Sequence, residues 1–68
     1  MMELIINGES IHVPDEVKTV SDLLAHFQLN NKIAIVEVNL TIIPKQQYET
    51  AVLCNGDKVE IVHFVGGG

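Results

Sequence analysis

The chain has no arginine, no tryptophan, one cysteine and two prolines among its 68 residues. Each scarcity excludes something. Four lysines against nine acids leave a net charge of −5, so the surface repels nucleic acid and anionic membrane. It also lacks the side chain best suited to forked phosphate contacts. A charged partner should therefore be basic, although an acidic excess also serves solubility. The lone Cys54 rules out an intrachain disulfide, and His12, His26 and His63 lack the spacing of a zinc site. No apolar run approaches the ~20 residues that span a bilayer. A single cysteine, with no cationic start leading into an apolar run, points to the cytoplasm. Phosphate-binding glycine loops, nucleotide fingerprints and nucleophile elbows are missing. Cys54 ends the apolar stretch AVLC and reads as a small core residue, and His63 reads as a strand residue. No catalytic residue, bound cofactor or metal is expected.

What the chain does have is 47% hydrophobic residues, enough for so small a domain to rest on its core alone. MELIIN (2–7) reads as a strand with Met2, Leu4 and Ile6 on one face and Glu3 and Ile5 on the other. Asn7-Gly8 is a strong hairpin signal, because both positions tolerate positive φ. A second strand follows with Ile11 and Val13 inward, closed by Pro14. Val20, Leu23, Leu24 and Phe27 then fall at helical spacing. Thr19 and Asp22 form a capping-box pattern, and Asn30-Asn31 predicts a stop near Leu29. IAIVEVN (33–39) is a strand whose Glu37 marks the solvated side, putting Ala34, Val36 and Val38 toward the core. Residues 40–54 are broken by Pro44, with a short strand or turn near Thr50 to Leu53. Asn55-Gly56-Asp57 is another turn, and both NG pairs read as hairpin turns. KVEIVHFV (58–65) is the last strand and runs directly into Gly66, Gly67 and Gly68.

The order β-β-α-β-(β)-β belongs to the α+β class. It predicts a mixed four- to five-stranded sheet with one helix packed on one face, similar to the β-grasp, or ubiquitin-like, arrangement. That domain covers 1–64, and 65–68 form a flexible C-terminal glycine tail. On the last strand Val59 and Ile61 should face the helix, while Glu60, Val62 and Phe64 point outward. With Ile5 and Val65 they make a candidate partner-binding face, since exposed apolar patches on small domains tend to be contact surfaces.

The ending GDKVEIVHFVGGG, with TVSDLLAHF, IAIVEVN and the opening IINGES, resembles the ThiS family of sulfur carriers over essentially the whole chain. Family members often have glycine where this chain has Leu40, and arginine where it has Lys45. The resemblance implies a carrier rather than an enzyme. Gly68 would be adenylated and converted to a thiocarboxylate that donates sulfur to thiazole formation in thiamin biosynthesis. Gly66 and Gly67 would thread into the partner. Implied partners are an ATP-dependent, ubiquitin-activating-like adenylating enzyme, thiazole synthase, and a sulfur donor system such as cysteine desulfurase. ATP would be used by the activating enzyme. Other readings of the same residues are a molybdopterin-synthase small-subunit-like carrier, a modifier conjugated to lysines, and a non-catalytic β-grasp binding module.

Overall fold

The computed structural model describes residues 1–30 and 32–63, with the backbone alone at His63. The strands are β1 (Met2–Ile6), β2 (Glu9–Val13), β3 (Ala34–Val38), β4 (Thr41–Ile42) and β5 (Lys58–His63); the helix α1 is Val20–His26. They form one sheet in the order β2-β1-β5-β3-β4. The pairings β1–β2, β3–β4 and β3–β5 are antiparallel, and β1–β5 is parallel. The last strand thus lies at the centre beside the first, as the sequence order predicts.

Alternation decides which side chains are inside. Leu4 and Ile6 of β1, Val13 of β2, Ala34 and Val36 of β3 and Val59 of β5 are buried, and they meet Val20, Leu23 and Leu24 of the helix. Met2, Ile11, Val38 and Ile61 are half-buried on the same side. Burying a Val or Leu side chain contributes about 1.5–3 kcal/mol, so this one-sided layer carries most of the stability available to the domain.

The helix has only seven residues, too few to persist alone, so its ends matter. The Asp22 N–H donates to Thr19 Oγ1 at 3.1 Å, and Asp22 Oδ2 accepts the Thr19 N–H at 3.1 Å. That is the capping box the sequence predicts. The same oxygen accepts the Lys18 N–H at 3.0 Å, and these amides hold the Asp22 carboxyl below the usual aspartate value of 3.8. The Val20 and Ser21 N–H groups donate to the carbonyls of Ala51 and Tyr48, so the first-turn donors that a helix cannot pair internally are met by the segment before β5.

The helix stops three residues sooner than expected. Gln28 takes the left-handed conformation (φ 59°). Its N–H donates to the Ala25 carbonyl and the Leu29 N–H to the Leu24 carbonyl, which is a Schellman closure. Leu29 is drawn back against the core, and this packing outweighs the preference of Asn30 for the same position.

Residues 39–56 hold two surprises. Asn39 (φ 50°) and Leu40 (φ 70°) make a tight turn into the short β4, so the second hairpin is here. The Asn55-Gly56 turn joins no paired strands; it clasps β1 instead, with Glu3 N–H donating to Asn55 Oδ1 and Gly56 N–H to the Glu3 carbonyl. The stretch near Thr50 to Leu53 contributes one isolated bridge, Val52 to Thr19. After Pro44 a 3-10 turn (Lys45–Gln47) delivers Tyr48 into the core, where its hydroxyl donates to the Ala34 carbonyl at 2.7 Å. Burial pushes the Tyr48 phenol above its usual value. Cys54 is exposed rather than a core residue. Leu53 takes the buried position beside it, and the Cys54 N–H is tied to Asp57 Oδ2.

Candidate functional site: the uncovered face of the sheet

The helix covers one face, so the other is built wholly from the alternate residues of the strands. Residues directly opposite one another share a face. The pairs Val62–Ile35, Glu60–Glu37, Glu37–Ile42 and Ile5–Lys58 therefore trace the uncovered side from β5 outward. Val62, Ile35 and Ile42 are exposed, as is Glu60. This places Glu60 and Val62 where the sequence predicts. Phe64, Val65, Gly66, Gly67 and Gly68 lie outside the described residues.

Two features depart from the expectation. Ile5 is half-buried and pairs with Lys58, four positions before Val62 on β5, or about 13 Å at ~3.3 Å per residue. It does not adjoin Val62, because β1 ends before that level of the sheet. The apolar neighbour of Val62 is Ile35 on β3, with Ile42 farther out on β4. Ile35 escaped the sequence reading although a signal existed: Glu37 marks the solvated face, and Ile35 is two residues earlier on the same strand.

The second feature is electrostatic. Glu37 and Glu60 stand directly opposite each other on an antiparallel pair, an arrangement that is destabilising for like charges. Neither makes an ion pair among the described residues. The face therefore presents two carboxylates flanked by Ile35 and Val62 on one side and Ile42 on the other.

The helix side has a shallow groove of about 420 Å³, walled by Ile6, Ile11, Phe27, Leu29 and Ile61. Among the described residues its single ionisable lining residue is Glu9. Among the described residues no group of three or more His, Cys, Asp or Glu side chains could hold a metal ion. No helix among them is long and apolar enough to cross a membrane.

A mixed five-stranded sheet with a single helix across one face, the last strand central and parallel to the first, is a β-grasp, ubiquitin-like domain. The same architecture occurs in the crystal structure of thiamine biosynthesis protein ThiS from Geobacter metallireducens, with a TM-score of 0.82 and 28% identity, covering 98% of this chain and all of that one. A model of the ThiS family matches residues 2–68, and the chain belongs to that family. It is 51% identical over 63 residues to the sulfur carrier protein ThiS of Bacillus subtilis, covering 93% of this chain and 96% of that protein. It is also 42% identical over 67 residues to a thiazole synthase of Paramagnetospirillum magneticum, of which the matched part is 20%.

Proposed function

We propose that the chain is a consumable sulfur carrier of thiamin biosynthesis, with the Gly68 carboxylate as its reacting group. The observation that carries this reading is the 51% identity to the Bacillus subtilis sulfur carrier over nearly the whole of both chains. The similarity to a thiazole synthase favours the thiazole route over a molybdopterin one.

The chemistry follows from the carboxylate. Carboxylates are poor electrophiles until one oxygen becomes a leaving group. A Gly68 oxygen attacks the α-phosphate of ATP on an adenylating enzyme, expels pyrophosphate and leaves an acyl-adenylate. A persulfide sulfur supplied by a donor such as cysteine desulfurase attacks the acyl carbon, and AMP departs. A thiol then cleaves the sulfur–sulfur bond, which leaves the thiocarboxylate on the carrier and a disulfide on the donor side. Thiazole synthase takes the sulfur, and the carrier returns to its carboxylate. Glycine suits each step, since an α-carbon without a side chain crowds the acyl carbon least and lets Gly66 and Gly67 thread a narrow channel.

Such intermediates must be kept from water, so the chain end enters each partner. The four residues beyond Phe64 extend at most about 13–14 Å. Ordering them costs on the order of 1–2 kcal/mol per residue, which binding elsewhere on the domain must offset. The uncovered face is suited to this. Val62 and Ile35, with Ile5 at the periphery, meet an apolar partner surface, and Glu37 with Glu60 call for a lysine or arginine on it; Phe64 and Val65 are further contacts expected from the sequence alone. The setting is cytoplasmic, where ATP and the donor are found.

Intact mass spectrometry tests the proposal. After incubation with ATP, an adenylating enzyme and a sulfur source, the chain should gain the mass difference of one oxygen replaced by sulfur. An unchanged mass in a system that loads the Bacillus subtilis carrier would overturn it. One alanine appended after Gly68 should abolish the gain and leave the fold intact.

A further inference from the structure

β5 is supported unequally on its two sides. Toward β3, backbone pairing runs from Val59 through His63. Toward β1 it covers only Lys58 and Val59, because the chain turns away at Asn7 (φ 49°) and Gly8 (φ 84°). Ile61 would then face β1 with its peptide groups unpaired. The Asn7 side chain meets both: Oδ1 accepts the Ile61 N–H at 2.8 Å, and Nδ2 donates to the Ile61 carbonyl at 3.1 Å. A carboxamide is chemically a peptide group, so this side chain extends the parallel ladder one step past the end of β1. Asn39 treats the start of β5 similarly. Its Oδ1 accepts the Lys58 N–H at 3.0 Å and its Nδ2 donates to Asp57 Oδ1 at 3.0 Å. Both asparagines have left-handed backbones, so each side chain can face β5 while the main chain turns away.

We propose that Asn7 is a positioning residue for the C-terminal chemistry: its carboxamide holds β5 at Ile61 and thereby sets the direction in which Gly68 is presented to the activating enzyme. This rests on the sulfur-carrier reading. Ile61 is the last residue of β5 held from the β1 side among those described, and Gly68 follows it by seven positions, a reach of up to about 25 Å. Without this tie the end of β5 is free to shift, whereas attack on a bound phosphate tolerates misplacement of only about 1 Å before rates fall steeply.

The test compares Asn7→Gly with Asn39→Gly. Glycine adopts positive φ freely, so both turns survive and only the carboxamides are lost. Adenylation is followed by ATP–pyrophosphate exchange against carrier concentration, and backbone protection by amide hydrogen exchange. In Asn7→Gly the Ile61 amide should lose protection and kcat should fall on the order of tenfold or more, with KM within about twofold of wild type. Asn39→Gly should lose protection at Lys58, show a comparable fall in Tm and keep the wild-type kcat. A wild-type kcat in Asn7→Gly, a loss borne wholly by KM, or an equal fall in kcat in Asn39→Gly would overturn the assignment. If the wild-type chain itself supports no exchange, the carrier reading fails and this inference with it.

Discussion

Val59 and Val62 sit three residues apart on one strand and have opposite fates. Val59 is fully buried beneath the helix, whereas Val62 is 52% exposed on the far face. The same contrast separates Val36 from Ile35 on β3. One face of the sheet is covered by a single short helix, and among the described residues no second layer covers the other. Apolar residues on the covered side are there for stability. Those on the uncovered side contribute little to it and stand beside two opposed carboxylates, which is a combination expected of a docking surface.

The comparison can be broken most forcefully from the covered side. Leu4→Ala should lower the unfolding free energy measured in urea by about 2–5 kcal/mol, with partner affinity unaltered wherever the protein stays folded. From the uncovered side, Val62→Gln should do the reverse. Stability should stay within about 0.5 kcal/mol, while calorimetry with the adenylating enzyme should show affinity falling about tenfold, or ~1.4 kcal/mol. If Val62→Gln unfolds the domain and Leu4→Ala does not, the division of labour between the faces is wrong.

Smaller changes sharpen the contrast. Leu40 is exposed at a left-handed position in the turn that brings Ile42 onto the uncovered face. Leu40→Gly should relieve strain of about 1–2 kcal/mol, partly offset by the freedom glycine adds to the unfolded chain. The net gain in thermal stability should be about 0.5–1 kcal/mol. Glu37→Gln should stabilise by a few tenths of a kcal/mol, by removing a like-charge opposition, and yet weaken binding to a basic partner. That loss should shrink in high salt. The least effect concerns the cover itself. Asp22 is held below 3.8 by the Lys18 and Thr19 amides, so its contribution is present above that pH and is lost as acid titrates through its lower folded value. Asp22→Asn should lower stability near pH 7, where the wild-type carboxylate is ionised, and the deficit should vanish as the pH falls below about 4, which leaves a flatter stability–pH profile.

Much of the fold was legible because its signals are local. The Asn7-Gly8 turn, the Thr19–Asp22 box and the alternation of β1 and β5 each depend on residues close together in sequence. The Asn39-Leu40 hairpin was not legible, since leucine carries no preference for positive φ and the turn is imposed by β3–β4 pairing. Cys54 was misread because an apolar run says nothing of which member turns inward. Of the candidate site, Glu60 and Val62 followed from alternation alone. Ile35 and Ile42 became their neighbours only through strand register.

By itself, then, the sequence determined β1, β2, α1, β3 and β5, the inward and outward identity of their apolar residues and the glycine ending, since these rest on backbone sterics and periodicity over a few residues. Tertiary structure decided which outward residues meet. It set Glu37 against Glu60, separated Ile5 from Val62, and brought the Asn7 carboxamide to Ile61 across 54 positions of chain. Those are consequences of pairing between distant strands, and no window of local sequence contains them.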